Sequence, residues 1–492
     1  MQPIILLFSN ISKKKYSRII FLRTDQDKPT RYIGIYEFVR PILIIKDPHL
    51  IKKICIEDFN HFEDHVQTLP DNSDRMWNKG LFNLSGTEWK RMRHILTPSY
   101  TSSKMRIMFN SMQNFATKLV DDLRSRNEDI IEFDSSRIFS IYVNNVIAST
   151  TFGIDYDPVN EENNEFYFKA AESSDTSGLW LNIKFTLLRA FPSIGIILKG
   201  RVFNETMLQF FKAVVGEIIS FREKNKIGRH DLMETLIQAR KRKTSSENQN
   251  NIGEENVKET KKYNSEYEFN GYEPSMDDIT AQALFFYIAA FGTSTSICSF
   301  ICYELVVNPE VQKKLIAEID EIKSRKHEIA YEDLRTLTYL DMVVSESLRK
   351  WPVAFRTDRK CIKSYTIPPE KPNEKPLHLK AGQHCWILLH PIHHNPKYWP
   401  NPDTFDPERF SAANKHNITP GSYIPFGTGP RSCIGSRFAL QQIKVIIYEL
   451  LKQFEIVSTS KTIIPCEFAK SSTTIIPGKG FHFGLQRRNS TF

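Results

Sequence analysis

Apolar residues recur at every third or fourth position along most of this chain, which is the spacing of amphipathic helices. The pattern runs from Gly86 to about Ile219 and resumes after about Tyr331. Between the two, the stretch from Ser275 to Val306 is apolar on nearly every side, as expected of a helix that crosses a protein interior. Ser275 and Asp278 resemble a capping box at its start. The sequence therefore predicts a mainly α protein.

Strand-like runs are short and lie near the two ends of the chain. The stretch from Arg31 to Asp47 predicts two strands that are broken near Pro41. Asp47 followed by Pro48 predicts the start of a helix. The residues after Ser458 predict short strands and turns. We therefore expect a small β region near the N-terminus and short C-terminal strands beside the helices.

The size of the chain suits one large domain. It has 492 residues, 40% of them hydrophobic and 12% aromatic, so a sizeable core can form. We expect a single domain over residues 31–492, after an N-terminal segment of residues 1–30. A polar stretch at about 240–268 predicts a flexible connection. The apolar segment from Leu179 to Lys199 is interpreted either as core or as a contact with a membrane interface.

Charge and cysteine content narrow the class of protein. The formal net charge is +9, which favours an acidic partner or an anionic membrane surface. No motif for reading nucleic acid accompanies the charge, so we expect no nucleic-acid partner. The seven cysteines are an odd number without a C-x-x-C pair. This argues against a disulfide framework and a zinc ribbon, and it indicates a reducing compartment.

One cysteine stands apart from the others. Cys433 lies in the loop "FGTGPRSCIG", between glycines and just before a helical pattern. A helix N-terminus and the neighbouring Arg431 both favour a thiolate. Three interpretations remain open at this point. Cys433 is a core residue, a nucleophile that needs a base such as His416, or the thiolate ligand of a haem iron.

The loop matches a known signature. Its sequence resembles the haem-binding motif of the cytochrome P-450 superfamily, F-x-x-G-x-R-x-C-x-G, with matches at Phe426, Gly429, Arg431, Cys433 and Gly435. The resemblance covers nearly the whole chain and is greatest to the insect members of the animal microsomal, xenobiotic-metabolising branch. It implies the helix-rich cytochrome P-450 fold and a haem b whose axial ligand is the Cys433 thiolate.

Two further motifs fit the same family. Glu346 and Arg349 lie three residues apart in "ESLR", and Arg409 lies in "PERF". The resemblance implies that these three form a buried charged triad, which must be fully paired to be tolerated. It also implies that Trp89 and Arg93 of "WKRMR" bind a haem propionate.

Two more arginines complete the expected propionate site. Arg431 and Arg359 stand at the family's other propionate-binding positions. An arginine suits a carboxylate because its planar fork is always charged.

The long apolar helix departs from the family pattern. In "AAFGTS", Thr293 matches the threonine that the family places over the oxygen site, and it is the expected catalytic residue. Ala290 replaces the usual glycine, and Gly292 replaces the usual acid that relays protons. Gly292 leaves two alternatives open, a haem-thiolate isomerase or dehydratase that needs no reductase and a haem-binding protein with weak turnover.

The resemblance implies a monooxygenase that inserts one oxygen atom from O₂ into an apolar xenobiotic, lipid or terpenoid. Electrons come from NADPH through the NADPH–cytochrome P-450 reductase, and cytochrome b5 is a second candidate partner. The cations Lys90, Arg91 and Arg437 are candidates for the docking face. The candidate pocket residues are Phe291, Val353 and Phe355, and core packing is the alternative for each.

The expected location is the cytosolic face of the endoplasmic reticulum membrane. Members of this branch begin with an apolar anchor and a proline-rich hinge, whereas residues 1–30 show neither. An incomplete gene model and a soluble form of the enzyme are the two explanations.

Overall fold

A computed structural model describes most of the chain. The described residues are 30–37, 40–67, 69, 74–155, 166–169, 203, 205–241, 272–325, 328–370, 372, 374–466 and 480–488. The N-terminal segment 1–29, the apolar segment Leu179–Lys199 and most of the connection expected at about 240–268 lie outside these residues.

Helices make up most of the described structure. In chain order they are α1 (Pro48–Lys52), α2 (Arg75–Lys79), α3 (Gly86–Leu96), α4 (Ser102–Ser125), α5 (Ser135–Ile147), α6 (Glu205–Asn225), α7 (Leu232–Lys241), α8 (Met276–Val307), α9 (Pro309–Arg325), α10 (Thr338–Lys350), α11 (Leu389–His393) and α12 (Ser436–Gln453). The expected mainly α fold is confirmed. Arg240 and Lys241 belong to α7, so the connection predicted from about residue 240 does not begin before that helix ends.

The strands form three small sheets. They are β1 (Tyr32–Glu37), β2 (Arg40–Ile45), β3 (Ile130–Asp134), β4 (Arg356–Lys360), β5 (Tyr365–Ile367), β6 (Leu377–Leu379), β7 (His384–Leu388), β8 (Phe454–Val457) and β9 (His482–Arg487). The sheet orders are β1-β2-β7-β4, β3-β9-β8 and β5-β6. The C-terminal β9 thus joins a strand that lies between α4 and α5.

The two strands predicted with a break near Pro41 are confirmed, and the break lies just before this residue, since β1 ends at Glu37 and β2 begins at Arg40. Pro41 lies within β2, opposite Tyr36 of the antiparallel strand β1. The parallel pairing of β2 with β7 begins only at Ile42. A proline lacks an N–H donor, and it is tolerated here because it precedes the part of β2 that pairs on both sides.

The helix caps follow the sequence. The Asp47 side chain accepts a hydrogen bond from the Leu50 amide, 2.8 Å away, at the start of α1. Ser275 and Asp278 form the expected capping box of α8. By length and composition α8 could cross a membrane, but 61% of its most apolar window is buried inside the protein. It is therefore the central core helix, and it packs against α5, α10 and α12.

Candidate active site at the Cys433 loop

The loop before Cys433 is shaped by two glycines in left-handed conformations. Gly427 has φ +73° and Gly429 has φ +78°. A Cβ atom on Gly429 would lie 1.9 Å from the carbonyl oxygen of Cys55, so no other residue fits there without a backbone shift. The Cys433 amide donates to the Phe426 carbonyl, 2.9 Å away. These contacts hold the cysteine at the end of a closed turn.

Cys433 faces a space inside the protein. It is exposed, whereas Cys466 is half-buried and the other five cysteines are buried. Burial nevertheless raises the pKa of the Cys433 thiol, so the accessible surface is enclosed by the protein. The Gly435 amide and the Arg93 charge act in the opposite direction. The Gly435 amide at the helix N-terminus thus favours the thiolate as expected, and Arg93 supplies the cation expected of Arg431, but in the chain alone desolvation is the larger effect.

The middle of α8 is open on one face. Ala289 is exposed and Thr293, one turn later, is partly exposed, although most of the helix is buried. The Thr293 hydroxyl donates to the Ala289 carbonyl, 2.6 Å away. A Cβ atom on Gly292 would meet no atom within 4 Å. α8 also packs against α12, the helix that follows Cys433.

Arg431 brings a cation to the Cys433 loop. Two of its guanidinium nitrogens bind protein oxygens and the third does not. Its Nε donates to the Glu63 carbonyl at 2.8 Å, and its Nη2 donates to the Leu84 carbonyl at 2.8 Å. Nη2 also lies 3.2 Å from Oδ1 of Asp64. Nη1 is buried without a hydrogen-bond partner in the described part of the chain. Burial lowers the pKa of Arg431 to about 9, although the charge of Asp64 acts in the opposite direction.

Arg359 and Arg93 are two further arginines with guanidinium donors that lack a partner among the described residues. Arg359 is fully buried in β4, and it donates from Nη1 to the Asp358 carbonyl at 2.6 Å and from Nη2 to the Thr428 carbonyl at 3.1 Å. Its Nε has no partner among the described residues. Arg93 makes no ion pair with a described carboxylate, and burial lowers its pKa while the charge of Cys433 raises it. Among the described residues, Arg93, Arg359 and Arg431 thus each keep guanidinium donors without a partner.

These observations fit a haem. A buried cation without a counter-ion is costly, and two carboxylate groups of a bound ligand would satisfy the free donors. A thiol that opens on an enclosed space supplies one axial ligand. Gly435, at the start of α12, has a φ of −89° and would place a Cβ atom in open space.

The structure brings the expected triad together. Arg349 pairs with Glu346 through two bonds of 2.7 and 2.8 Å, and neither side chain is exposed. Nε of Arg409 lies 3.4 Å from Oε1 of the same carboxylate. The remaining donors of Arg349 reach backbone carbonyls of the segment that leads to the Cys433 loop, at His393, Pro402 and Thr404. A fully paired buried charge of this kind locks one arrangement of that segment.

Comparison with known proteins decides the family. The family model for Cytochrome P450 matches residues 3–482. The chain belongs to the cytochrome P450 family. It is 36% identical to cytochrome P450 9e2 of Blattella germanica, with 100% of this chain and 91% of that protein covered. It is 35% identical to the probable cytochrome P450 9f2 of Drosophila melanogaster, with 93% and 87% covered. It is 34% identical to cytochrome P450 6k1 of Blattella germanica, with 91% and 83% covered.

The expected resemblance to insect members is confirmed by these relatives. Membership of the family makes this P450 a monooxygenase that binds haem b through an axial cysteine thiolate. The interior thiol, the free arginine donors and the open strip of α8 are the features of this chain that fit such a cofactor.

The three candidate pocket residues are distributed over the core. Phe291 stacks on Tyr287, with ring centroids 5.4 Å apart, and lies on the side of α8 away from the open strip. Val353 is buried in the main helical core, and Phe355 packs against the cluster around Trp386 in the β sheet. For these residues the structure favours the core-packing alternative.

Two aromatic residues next to the open strip were missed by the sequence analysis. Phe285 and Phe286 precede Ala289 by one helical turn, so helical spacing was the signal that could have found them. Phe285 packs on Trp77 of α2, with centroids 5.2 Å apart. A Cβ atom on Gly80 would lie 2.3 Å from the Phe285 ring. The segment after α2 therefore closes tightly over this ring.

A buried histidine–aspartate pair was also missed. Nδ1 of His65 lies 2.9 Å from Oδ1 of Asp358, and the Val66 amide donates to the same oxygen at 3.1 Å. A carboxylate oxygen only accepts, so Nδ1 carries the proton. The pair holds the pKa of Asp358 at about 2, below its usual value. Asp358 thereby fixes the strand that carries Arg359, and only tertiary folding brings its partner to it.

Proposed function

We propose that this P450 binds haem b through the Cys433 sulfur and inserts one oxygen atom from O₂ into an apolar xenobiotic, lipid or terpenoid. Electrons are supplied by NADPH through the NADPH–cytochrome P-450 reductase. The observation that carries the proposal is the Cys433 thiol, which opens on an enclosed space bordered by arginines with free donors.

Four residues bind and orient the propionate edge of the haem. Arg93, Arg359 and Arg431 each offer guanidinium donors that the described part of the chain leaves free. Trp89 packs its indole ring against the guanidinium group of Arg431, whose central carbon lies 4.0 Å from the ring centroid. The negative face of the ring attracts the cation and offsets part of its loss of hydration. The Phe426 carbonyl fixes the turn that presents Cys433.

Thr293 is the proposed catalytic residue on the opposite side. Bound haem supplies the oxidising chemistry, so the chain has to exclude bulk water and deliver protons. The Thr293 hydroxyl lies on the open strip of α8, where it holds a proton at Oγ1. Gly292 replaces the acidic residue of the family motif. The free space beside it accommodates a water molecule at that place. Protons then pass through hydroxyl and water.

The chemistry of the strip favours apolar substrates. Ala289 presents a methyl group, and the half-buried ring of Phe286 lies one turn before it. Burial of such surface contributes about 25 cal/mol per Å² without selecting a particular functional group. A broad range of apolar molecules is consistent with this lining.

The redox partner docks on the basic side around α3 and the start of α12. Arg437 is exposed at the first turn of α12 and points its charge outward. Lys90 pairs with Glu63, and Arg91 lies 5.8 Å from the Tyr272 ring centroid, so both contribute less free charge than the sequence suggests. The acidic flavin domain of the reductase, or cytochrome b5, fits this surface. The proposed location is the cytosolic face of the endoplasmic reticulum membrane.

The ligand assignment is tested by exchanging Cys433 for alanine. The ferrous carbon monoxide complex of the purified wild-type protein should show the absorption band of a thiolate-bound haem, and Cys433→Ala should lose it. Cys466→Ala, a change at a half-buried cysteine, is the matched control and should keep the band. An unchanged band in Cys433→Ala would overturn the assignment.

The reaction class is tested by turnover with purified reductase. A monooxygenase consumes NADPH and O₂ in proportion to product when an apolar substrate is present. Product formed from an organic peroxide without NADPH supports the isomerase or dehydratase alternative. Haem binding without product under either condition supports the weak-turnover alternative.

A further inference from the structure

Gln282 is a buried glutamine in the apolar helix α8, and its side-chain amide binds a segment from a distant part of the chain. Its Nε2 donates to the Lys79 carbonyl at 2.6 Å, and its Oε1 accepts from the Leu81 amide at 3.0 Å. A buried amide is costly without such partners, and here both of its polar atoms bind one short stretch of backbone. We call residues 79–86 the linking segment.

Two further contacts fasten the same end of the linking segment to α8. The Lys79 amine pairs with the Asp278 carboxylate. The Phe285 ring lies against the next residue of the segment, where a Cβ atom would be only 2.3 Å away. Asp278, Gln282 and Phe285 are four and three residues apart, so they share one face of the helix. Ala289 of the open strip lies four residues further along that face.

The linking segment is short and hydrogen-bonded within itself. The amides of Asn83 and Leu84 both donate to the Gly80 carbonyl, at 2.8 and 3.1 Å. The Asn83 side-chain amide donates to the Trp77 carbonyl at 2.8 Å. A closed turn of this kind cannot take up a displacement at one end without passing it to the other.

The other end of the linking segment holds Arg431. The Leu84 carbonyl accepts from Nη2 of Arg431 at 2.8 Å. The Gly86 amide donates at 2.8 Å to Oδ1 of Asp64, the same oxygen that lies 3.2 Å from Nη2. Nε of Arg431 donates to the Glu63 carbonyl. Because a guanidinium group is planar and rigid, these contacts also set the direction of Nη1, which has no partner among the described residues.

We propose that Gln282 is a positioning residue for the haem: through the linking segment it fixes the plane of the Arg431 guanidinium, so that the free Nη1 meets a propionate. The inference rests on the proposed propionate role of Arg431. Loss of the Gln282 amide leaves the Lys79 carbonyl and the Leu81 amide without their partner, and the segment then shifts at Leu84. The face of α8 that carries the open strip is thereby connected to the propionate side of the site.

The test replaces Gln282 by methionine, which keeps the length of the side chain and removes its amide. We expect haem transfer from the purified holoenzyme to an excess of a haem-accepting protein to become about three- to tenfold faster. The absorption band of the ferrous carbon monoxide complex should stay that of a thiolate-bound haem, because the Cys433 loop is unchanged.

Gln312 of α9 provides a matched control. It is buried and binds one backbone segment with both amide atoms, since Nε2 donates to the Ile456 carbonyl at 2.9 Å and Oε1 accepts from the Ile456 amide at 2.8 Å. Gln312→Met should lower the urea midpoint by an amount similar to that of Gln282→Met, because both lose the same kind of contact. It should leave the haem transfer rate unchanged.

A double variant tests whether Gln282 acts through Arg431. In the Arg431→Lys background, Gln282→Met should accelerate haem transfer by less than about twofold, because the planar group that it orients is already lost. Lys79→Met removes only the ion pair with Asp278, at a partly exposed side chain, and should fold normally. It should give a smaller increase in the same direction.

The outcomes separate the inference from the proposed function. The inference is overturned by a wild-type transfer rate in Gln282→Met, by an equal increase in Gln312→Met, or by an undiminished increase in the double variant. If Gln282→Met does not fold, an unchanged rate in Lys79→Met overturns it. A wild-type rate in Arg431→Lys overturns the propionate role of Arg431 and the inference with it. A wild-type protein without a thiolate-type band overturns the proposed function.

Discussion

The guanidinium carbon of Arg431 lies 4.0 Å from the centroid of the Trp89 ring, while Nη1 of the same side chain has no hydrogen-bond partner among the described residues. This stacking holds a planar fork in place before a ligand arrives. It joins two residues that are far apart in the chain, one in α3 and one in the Cys433 loop.

Arg431→Lys should therefore weaken haem binding although it keeps the charge. A lysine has no planar fork to stack on Trp89 and to bind a carboxylate with two bonds, so we expect a loss of about 2 kcal/mol, or roughly thirtyfold. Haem transfer to an excess of a haem-accepting protein measures the loss rate. Arg437→Lys is the matched control on the exposed first turn of α12. Equal loss rates in the two variants would contradict a propionate role for Arg431.

Gly429→Ala and Gly435→Ala should fail in different ways. Gly429 has φ +78° and no room for a Cβ atom, so alanine should lower the urea midpoint of the apoprotein and of the holoenzyme. Gly435 has an ordinary φ and open space at its Cβ position, so its alanine variant should fold normally and bind haem more weakly. Urea unfolding and haem content separate the two effects. Normal apoprotein stability in Gly429→Ala would refute the clash.

Arg349→Ala should destabilise the fold and release haem. The change leaves Glu346 buried and without its bidentate partner, which costs about 3 to 5 kcal/mol. Arg325→Ala is the control, because Arg325 and Glu321 form an exposed pair on α9 that contributes less than about 1 kcal/mol. Thermal unfolding of both variants should differ by several degrees. A small effect in Arg349→Ala would show that the triad does not hold the loop.

Protonation of Asp358 at low pH should lower the free energy of unfolding. Its pKa in the folded protein is about 2, against a usual value of 3.8, so its ionised form favours folding. This contribution of about 2 kcal/mol is complete above pH 3.8 and is lost as the pH falls towards 2. Asp358→Asn should lose the pH dependence in that window. Urea midpoints at several pH values between about 2 and 5 test it, and parallel curves for the two proteins would contradict it.

Gly292→Asp should raise the yield of product per NADPH. The open space beside Gly292 accepts the side chain, and a carboxylate there holds a proton closer to Thr293 than bulk water does. Gly216→Asp, at another helical glycine whose Cβ would meet no atom within 4 Å, is the matched control. Product and NADPH consumption are measured together with one apolar substrate. A yield that falls or stays constant would show that proton delivery does not depend on an acid at this position.

Local features were predictable because they depend on neighbouring residues. The capping box of α8 and the cap at Asp47 follow from side chains that lie three residues from the amides they bind. The Glu346–Arg349 pair follows from one helical turn. The break near Pro41 was predictable, but the place of Pro41 inside β2 was not, because whether a strand tolerates proline depends on which neighbour pairs with that residue.

By itself, the sequence determined the family, the helical class and the loop that presents Cys433, since the residues that form this loop are consecutive in the chain. Only the tertiary structure decided which arginine donors stay free. Arg431 meets Asp64 across 367 positions of sequence, and Tyr100 meets Phe286 and Phe438 from two distant helices. Such contacts depend on how helices pack, because packing, and no local spacing, sets the direction in which each side chain points.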